Sequence, residues 1–143
     1  MMISTRGRYA LRVMIDLAEQ KTSNFVPLKE VAERQEISEK YLESIVKNLV
    51  QNGYLEGLRG KGGGYRLVRE PDSYTVGSIL RLMEGSLAPV SCLAQRAQPC
   101  GREAVCRTLP MWRKLYEMVN DYFDGITLAD LIESGQSGDD YVI

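Results

Sequence analysis

The chain has 143 residues, 44% hydrophobic and 26% charged, with no histidine and a formal net charge of −1. That balance gives one compact domain with an appendage, excludes long disorder, imidazole catalysis, histidine-ligated metal and histidine-based pH sensing, and offers no apolar run near the roughly 20 residues that span a bilayer. The charge is uneven: residues 1–70 carry twelve Lys/Arg against nine Asp/Glu, and residues 71–143 carry six against ten, so the first half is the candidate nucleic-acid footprint.

Ser4 or Thr5 caps a first helix in which Tyr9, Ala10, Val13, Met14, Leu17 and Ala18 recur at helical spacing, ending near Lys21. Arg6, Arg8 and Arg12 interrupt this stretch, so it is no signal-peptide core, and the expected location is the cytoplasm. Thr22-Ser23-Asn24 is a turn, and Pro27 suits the first position of a short second helix whose Leu28, Val31 and Ala32 face inward. After a turn at Gln35-Glu36-Ile37, Ser38 caps a third helix, Glu39 to Gln51, with Leu42, Ile45, Val46, Leu49 and Val50 on one face and Gly53 at its C′ position.

Tyr54 and Leu55 start a strand, Gly60-Lys61-Gly62-Gly63-Gly64 forms a flexible tip, and Tyr65 to Val68 return as a second strand. Pro71-Asp72 and Ser73 break the pattern. Thr75 then caps a fourth helix with Val76, Ile79, Leu80 and Met83 as its apolar face, closed by Gly85. A polar segment from about Ser86 to Thr108 holds all three cysteines, Cys92, Cys100 and Cys106. Beyond Pro110 a longer helix places Trp112, Leu115, Val119, Tyr122 and Phe123 on one side and stops at Asp124-Gly125. Thr127 caps a last short helix, Leu128 to Glu133, and a flexible tail follows from Gly135.

Two short helices joined by a tight turn place the second in the major groove, where its outward N-terminal side chains meet base edges. Here these are Ser38, Lys40, Tyr41, Glu43, Ser44 and Lys47. Glu43 suits readout of cytosine, because a carboxylate accepts from its amino group and repels misplaced phosphates; Lys47 suits phosphate. An ordinary solvated helix face would carry the same charges, and the wing decides between the two. Arg59, Lys61, Arg66 and Arg69 come with no acid between them, and Gly60, Gly62 and Gly63 let the backbone approach a groove without a Cβ in the way. The tract lacks the GxxxxGK[ST] phosphate loop and the GxGxxG dinucleotide spacing.

The motifs Ser4-Thr5-Arg6-Gly7-Arg8-Tyr9-Ala10, Val31-Ala32-Glu33-Arg34-Gln35-Glu36-Ile37-Ser38, Tyr41-Leu42-Glu43, Arg59-Gly60-Lys61-Gly62-Gly63-Gly64-Tyr65 and Ile126-Thr127-Leu128 resemble the IscR-type family of winged-helix transcriptional regulators over about residues 1–135. That family includes iron-sulfur, nitric-oxide, iron and cysteine-metabolism repressors. The resemblance implies a mainly α fold with a small β-wing: a winged helix-turn-helix DNA-binding domain (1–85), a cysteine-containing cluster-binding loop (86–108), a C-terminal dimerisation helix with a short terminal helix (109–134) and a tail (135–143). It also implies a homodimer on a palindromic operator in double-stranded DNA.

The spacing C-x7-C-x5-C is similar to that of the family's cluster-binding members, which implies an iron-sulfur cluster, 2Fe-2S or 4Fe-4S, on Cys92, Cys100 and Cys106. Thiolates suit iron, and Arg96, Arg102 and Arg107 are expected to lower thiol pKa values and offset cluster charge. Three thiols in a core would not have Gln95, Arg96, Gln98 and Arg102 as neighbours, and structural zinc takes four ligands in closer pairs. The fourth ligand departs from the family pattern: Leu109 stands where some members place a histidine, and Arg8 where others place a carboxylate. Glu103, another group from the first helix or a partner subunit, and an exogenous ligand are the candidates. The alternative is a regulator of the same fold without a cluster, controlled by cysteine oxidation or by a metabolic-enzyme partner. An enzyme is not expected, because the chain has no histidine base, CxxC pair or substrate-binding motif.

Overall fold

The computed structural model describes residues 2–98 and 100–137. Helix α1, Thr5–Glu19, begins where Ser4 Oγ accepts the amide of Gly7 at 3.1 Å, and it buries Ala10, Val13 and Met14 completely. Helix α2, Leu28–Gln35, starts one residue later than the sequence pattern predicts. Pro27 is its N-cap, where its carbonyl accepts the amide of Glu30 at 3.1 Å. Glu36 ends α2 in the left-handed region, φ 55°, and the reversed chain drops Ile37 into the core before α3.

Helix α3, Glu39–Gln51, has the predicted bounds, and Leu42, Ile45, Val46 and Leu49 are fully buried. Its end is a Schellman turn: the amide of Tyr54 donates to the carbonyl of Leu49 at 2.8 Å and that of Gly53 to Val50 at 3.1 Å. Gly53, with φ 76°, takes the left-handed residue that this turn needs.

Strands β1, Leu55–Leu58, and β2, Gly64–Leu67, pair antiparallel with Leu55 opposite Leu67 and Glu56 opposite Arg66. Val26 adds two backbone hydrogen bonds to Tyr65, at 2.8 and 2.9 Å, so the segment before α2 covers the outer edge of β2. The base of the hairpin is pinned by Tyr74, 1% exposed, whose hydroxyl donates to the carbonyl of Tyr54 at 2.8 Å and accepts the amides of Val68 and Arg69 at 3.0 and 3.1 Å.

Helix α4, Val76–Glu84, is capped by Thr75 and closed by Gly85. Helix α5, Leu109–Asp124, follows the cysteine segment, and helix α6, Leu128–Ser137, returns Leu128 to the main core beside Tyr74. Thr127 and Asp130 exchange side-chain and backbone hydrogen bonds in a capping box, at 2.9 and 3.0 Å. α6 continues past Glu133, so Gly135 to Ser137 are helical; the rest of the expected tail, 138–143, lies outside the described residues.

A second, smaller core joins α4 to α5: Val76, Leu80 and Leu87 pack with Tyr116, Val119 and Phe123. The single apolar stripe expected on α5 is therefore divided. Val119 and Phe123 turn toward α4, while Leu115 and Tyr122 join Met111 and Met118 on an adjacent, exposed flank, with 37 to 67% of each residue accessible. An apolar arc this wide exceeds what one neighbouring helix covers.

Candidate DNA interface and cysteine pocket

All six side chains read as DNA-facing on α3 and its cap, Ser38, Lys40, Tyr41, Glu43, Ser44 and Lys47, are exposed. The spacing of Lys40, Glu43, Ser44 and Lys47 sets them on one face of the helix. Ser38 Oγ accepts the Tyr41 amide at 3.4 Å, so its side chain is spent on capping. Two of the six are held by α1, which the sequence reading assigned no part in the interface. Arg6 donates to Ser44 Oγ at 3.1 Å and to its carbonyl at 3.4 Å, while the Tyr9 ring meets Tyr41 edge-on with centroids 5.5 Å apart. Arg12 lies over the Tyr9 ring and also bonds the backbone carbonyl of Gln35, at the turn into α3. The only sequence signal for this was the triplet of arginines along α1.

Residues Arg59 to Gly63 form the hairpin tip, with Arg59, Gly60, Lys61 and Gly62 exposed and a hydrogen bond of 3.0 Å from the Gly63 amide to the Gly60 carbonyl. Gly63 admits no side chain: a Cβ there would lie 2.1 Å from the carbonyl oxygen of Leu58. Of the four basic residues expected to act together, Arg66 and Arg69 make contacts within the chain although both stay accessible to solvent. Arg66 pairs with Glu56 on the opposite strand and lies 4.1 Å from the centre of the Phe25 ring. Arg69 lies 4.5 Å from the centre of the Tyr74 ring. Arg59 and Lys61 remain as the cations presented by the tip.

Cys92 sits in the 3₁₀ turn Ser91–Leu93, and Cys106 directly follows another, Glu103–Val105, two residues before the Thr108 cap of α5. Cys92 and Cys100 are exposed, which rules out the reading of all three thiols as core fillers. All three line one cavity of about 240 Å³, together with Glu103, Leu109 and Arg113. Glu103 is paired with Arg113 of α5 at 3.2 Å. Among the described residues no three Cys, Asp or Glu side chains gather closely enough to hold a single metal ion, so the donors surround a space rather than a point.

The Cys106 thiol lies below its ordinary pKa. The principal cause is the Thr108 hydroxyl, 3.5 Å from Sγ, with Thr108 and Leu109 amides next and Arg102 last. Of the three arginines expected to lower thiol pKa values, Arg102 does so at Cys106 as the smallest of the causes, and Arg96 and Arg107 are not among them.

The sequence pattern of the Rrf2 family, iron-dependent transcriptional regulators, matches residues 3–134. The chain belongs to the Rrf2 family. Among Rrf2 regulators it is 36% identical over 134 residues to IscR of Erwinia tasmaniensis, spanning 94% of this chain and 80% of that one. It is 39% identical over 131 residues to CymR of Bacillus subtilis, spanning 92% and 89%. The solved structure of that CymR, described as the global cysteine regulator, superimposes with a TM-score of 0.75 over 94% of this chain and 98% of its own. The structure of IscR from T. potens, 32% identical, gives 0.76 over 99% and 93%. The fold is that of Rrf2 winged-helix regulators, and the function that follows is DNA-binding regulation of transcription. No helix among the described residues is long and apolar enough to cross a membrane.

Proposed function

We propose that this Rrf2 regulator controls transcription from the cytoplasm through an iron-sulfur cluster held by Cys92, Cys100 and Cys106, whose presence or loss sets affinity for a palindromic operator. The observation that carries this reading is the convergence of the three thiols on one cavity. Three sulfur donors around a space suit a multinuclear cluster of either the 2Fe-2S or the 4Fe-4S type better than a mononuclear site. Glu103, on the same wall, is the carboxylate at hand for a fourth position once it leaves Arg113. When bound, the cluster supplies a labile, redox-active centre. The protein's part is to order the segment between α4 and α5. Because α5 carries the exposed Met111, Leu115, Met118 and Tyr122 flank, we assign that flank to a two-fold dimer. Such a dimer fixes the separation of two α3 helices and two wing tips, with Ser38 to Lys47 and Arg59 to Gly63 on the duplex.

The test is anaerobic purification with measurement of iron, sulfide and visible absorbance, followed by binding to an operator selected from random duplexes before and after cluster removal. Cys92→Ala, Cys100→Ala and Cys106→Ala should each lose the cluster while remaining folded, because both cores form without the thiols. Wild type that binds no iron or sulfide on reconstitution overturns the cluster reading.

A second reading has its own support: no three donors among the described residues gather to hold a metal ion, and the Cys106 pKa is lowered by the Thr108 hydroxyl. In that case the regulator is colourless and responds through cysteine oxidation or a metabolic-enzyme partner. Colourless protein whose operator affinity changes with peroxide selects it.

A further inference from the structure

Glu84 is the last residue of α4, and Gly85 opens the segment that carries the cysteines. Its carboxylate does not face solvent alone. Oε1 accepts the backbone amide of Ser4 at 2.9 Å and the Ser4 hydroxyl at 2.7 Å. The same hydroxyl accepts the amide of Gly7, so Ser4 caps α1 while fastened to the end of α4. The first turn of α1 has no acidic residue of its own, and Glu84 provides the negative charge that the positive end of the helix dipole favours. Space for it is made by Gly7, where a Cβ would stand 2.4 Å from Oε1. In the same turn Arg6 reaches across to α3 and holds Ser44 by its hydroxyl and its carbonyl. Ser44 in turn donates to the carbonyl of Tyr41 at 3.1 Å, and Tyr41 is braced by Tyr9.

We propose that Glu84 is a positioning residue for the recognition helix, acting through Ser4 and Arg6 to connect the start of the cysteine segment with the DNA-reading side chains Tyr41 and Ser44. Movement of Gly85 shifts the carboxylate that anchors the first turn of α1, and the guanidinium of Arg6 carries that shift to α3. The inference rests on α3 being the helix that reads DNA; it does not depend on which chemistry occupies the cysteine pocket.

The experiment measures the ratio of affinity for the selected operator to that for scrambled duplex, at one salt concentration, with thermal melts alongside. Glu84→Ala should lower the ratio about 3- to 30-fold. Glu84→Gln should restore most of it, because the amide oxygen can accept both Ser4 donors. Arg6→Ala should match Glu84→Ala, and the double variant should fall no further than the single variants, since both break one connection. Ser4→Ala supplies the same readout if Glu84→Ala does not fold. An unchanged ratio in Glu84→Ala, no recovery in Glu84→Gln, or losses that multiply in the double variant overturn the proposal. Glu43→Ala is the control: if it alters the ratio while Glu84→Ala does not, only this connection fails, and if neither does, α3 is not the reading helix.

Discussion

Asp16, 3% exposed, receives the guanidinium of Arg34 through three hydrogen bonds, the shortest 2.8 Å, and the side-chain amide of Gln35 at 2.9 Å. A carboxylate in the last turn of α1 thereby fixes the end of α2, just before the turn that aims α3. The hydrogen bond to Asp16 is also the main cause that raises the pKa of Arg34 above its ordinary value.

Asp16→Ala should therefore destabilise the fold by about 1–3 kcal/mol, at the lower end if Arg34, 37% exposed, is rehydrated when its partner is lost. Asp16→Asn should lie between wild type and Asp16→Ala, since it keeps one acceptor. Urea unfolding measures both, and an Asp16→Ala midpoint equal to that of wild type would show the network to be neutral.

The wing separates cations that face outward from those that hold the fold. Arg59→Ala should weaken operator binding by about 1–3 kcal/mol per site and leave the melting temperature unchanged. Arg66→Ala, which removes the contacts to Glu56 and Phe25, should lower the melting temperature before it changes the salt dependence of binding. If wild type binds as the proposed dimer, the log-log salt slope should be on the order of −4 to −9. Titrations at several salt concentrations check the affinities and the slope and thermal melts check the stabilities, and equal effects of Arg59→Ala and Arg66→Ala on that slope would refute the division.

Glu43 stands exposed on the same face as Lys40 and Lys47. Removing its carboxylate removes an acceptor for a base and a repulsion toward phosphates together, so Glu43→Ala should cost about 1–3 kcal/mol of discrimination while total affinity changes less. Competition between operator and scrambled duplex reads this directly. A constant ratio would take Glu43 out of the base-reading set.

Much of this was legible in the sequence wherever the signal is local. Ser38, the apolar spacing of α3 and Gly53 lie within one helix and its caps, and they gave its bounds to the residue. What was not legible depends on which side chains the folded chain brings together. Arg66 and Arg69 were grouped with the tip although Glu56 sits across the hairpin and Tyr74 comes from beyond the wing, and Arg6 was given no part in the interface because Ser44 is 38 residues away. The α5 stripe gave its apolar character but not its division, since only the position of α4 determines which flank is covered. At Cys106 the abundant arginines drew attention, whereas a hydroxyl two residues away has the larger effect, because a hydrogen bond acts at short range and an exposed charge is screened by solvent.

The exposed flank of α5 gives a test of assembly. A charge at its centre, as in Met118→Glu, should weaken self-association by about 2–4 kcal/mol, the loss typical of a central interface anchor. The same change in a surface without a partner would leave the protein's mass in solution as it was. Sedimentation of wild type and variant distinguishes these, and operator binding should fall along with the dimer because each half-site then binds alone.

The thiol of Cys106 gives a prediction in pH. Its pKa is lowered because the Thr108 hydroxyl stabilises the thiolate, so the charged form persists below the ordinary thiol range and is lost only as pH falls through the depressed value. Thr108→Val removes the hydroxyl and nothing else of similar reach, so the midpoint for alkylation of Cys106 should move upward and the rate at neutral pH should drop. Arg102→Ala should move it in the same direction but less, as the weaker of the two causes. The measurement is iodoacetamide labelling across pH with Cys106 quantified by peptide mass, on protein treated to remove metal. A midpoint that is the same in wild type and Thr108→Val would show that the hydroxyl does not set the thiol's reactivity, and a larger shift in Arg102→Ala would return that role to the arginine.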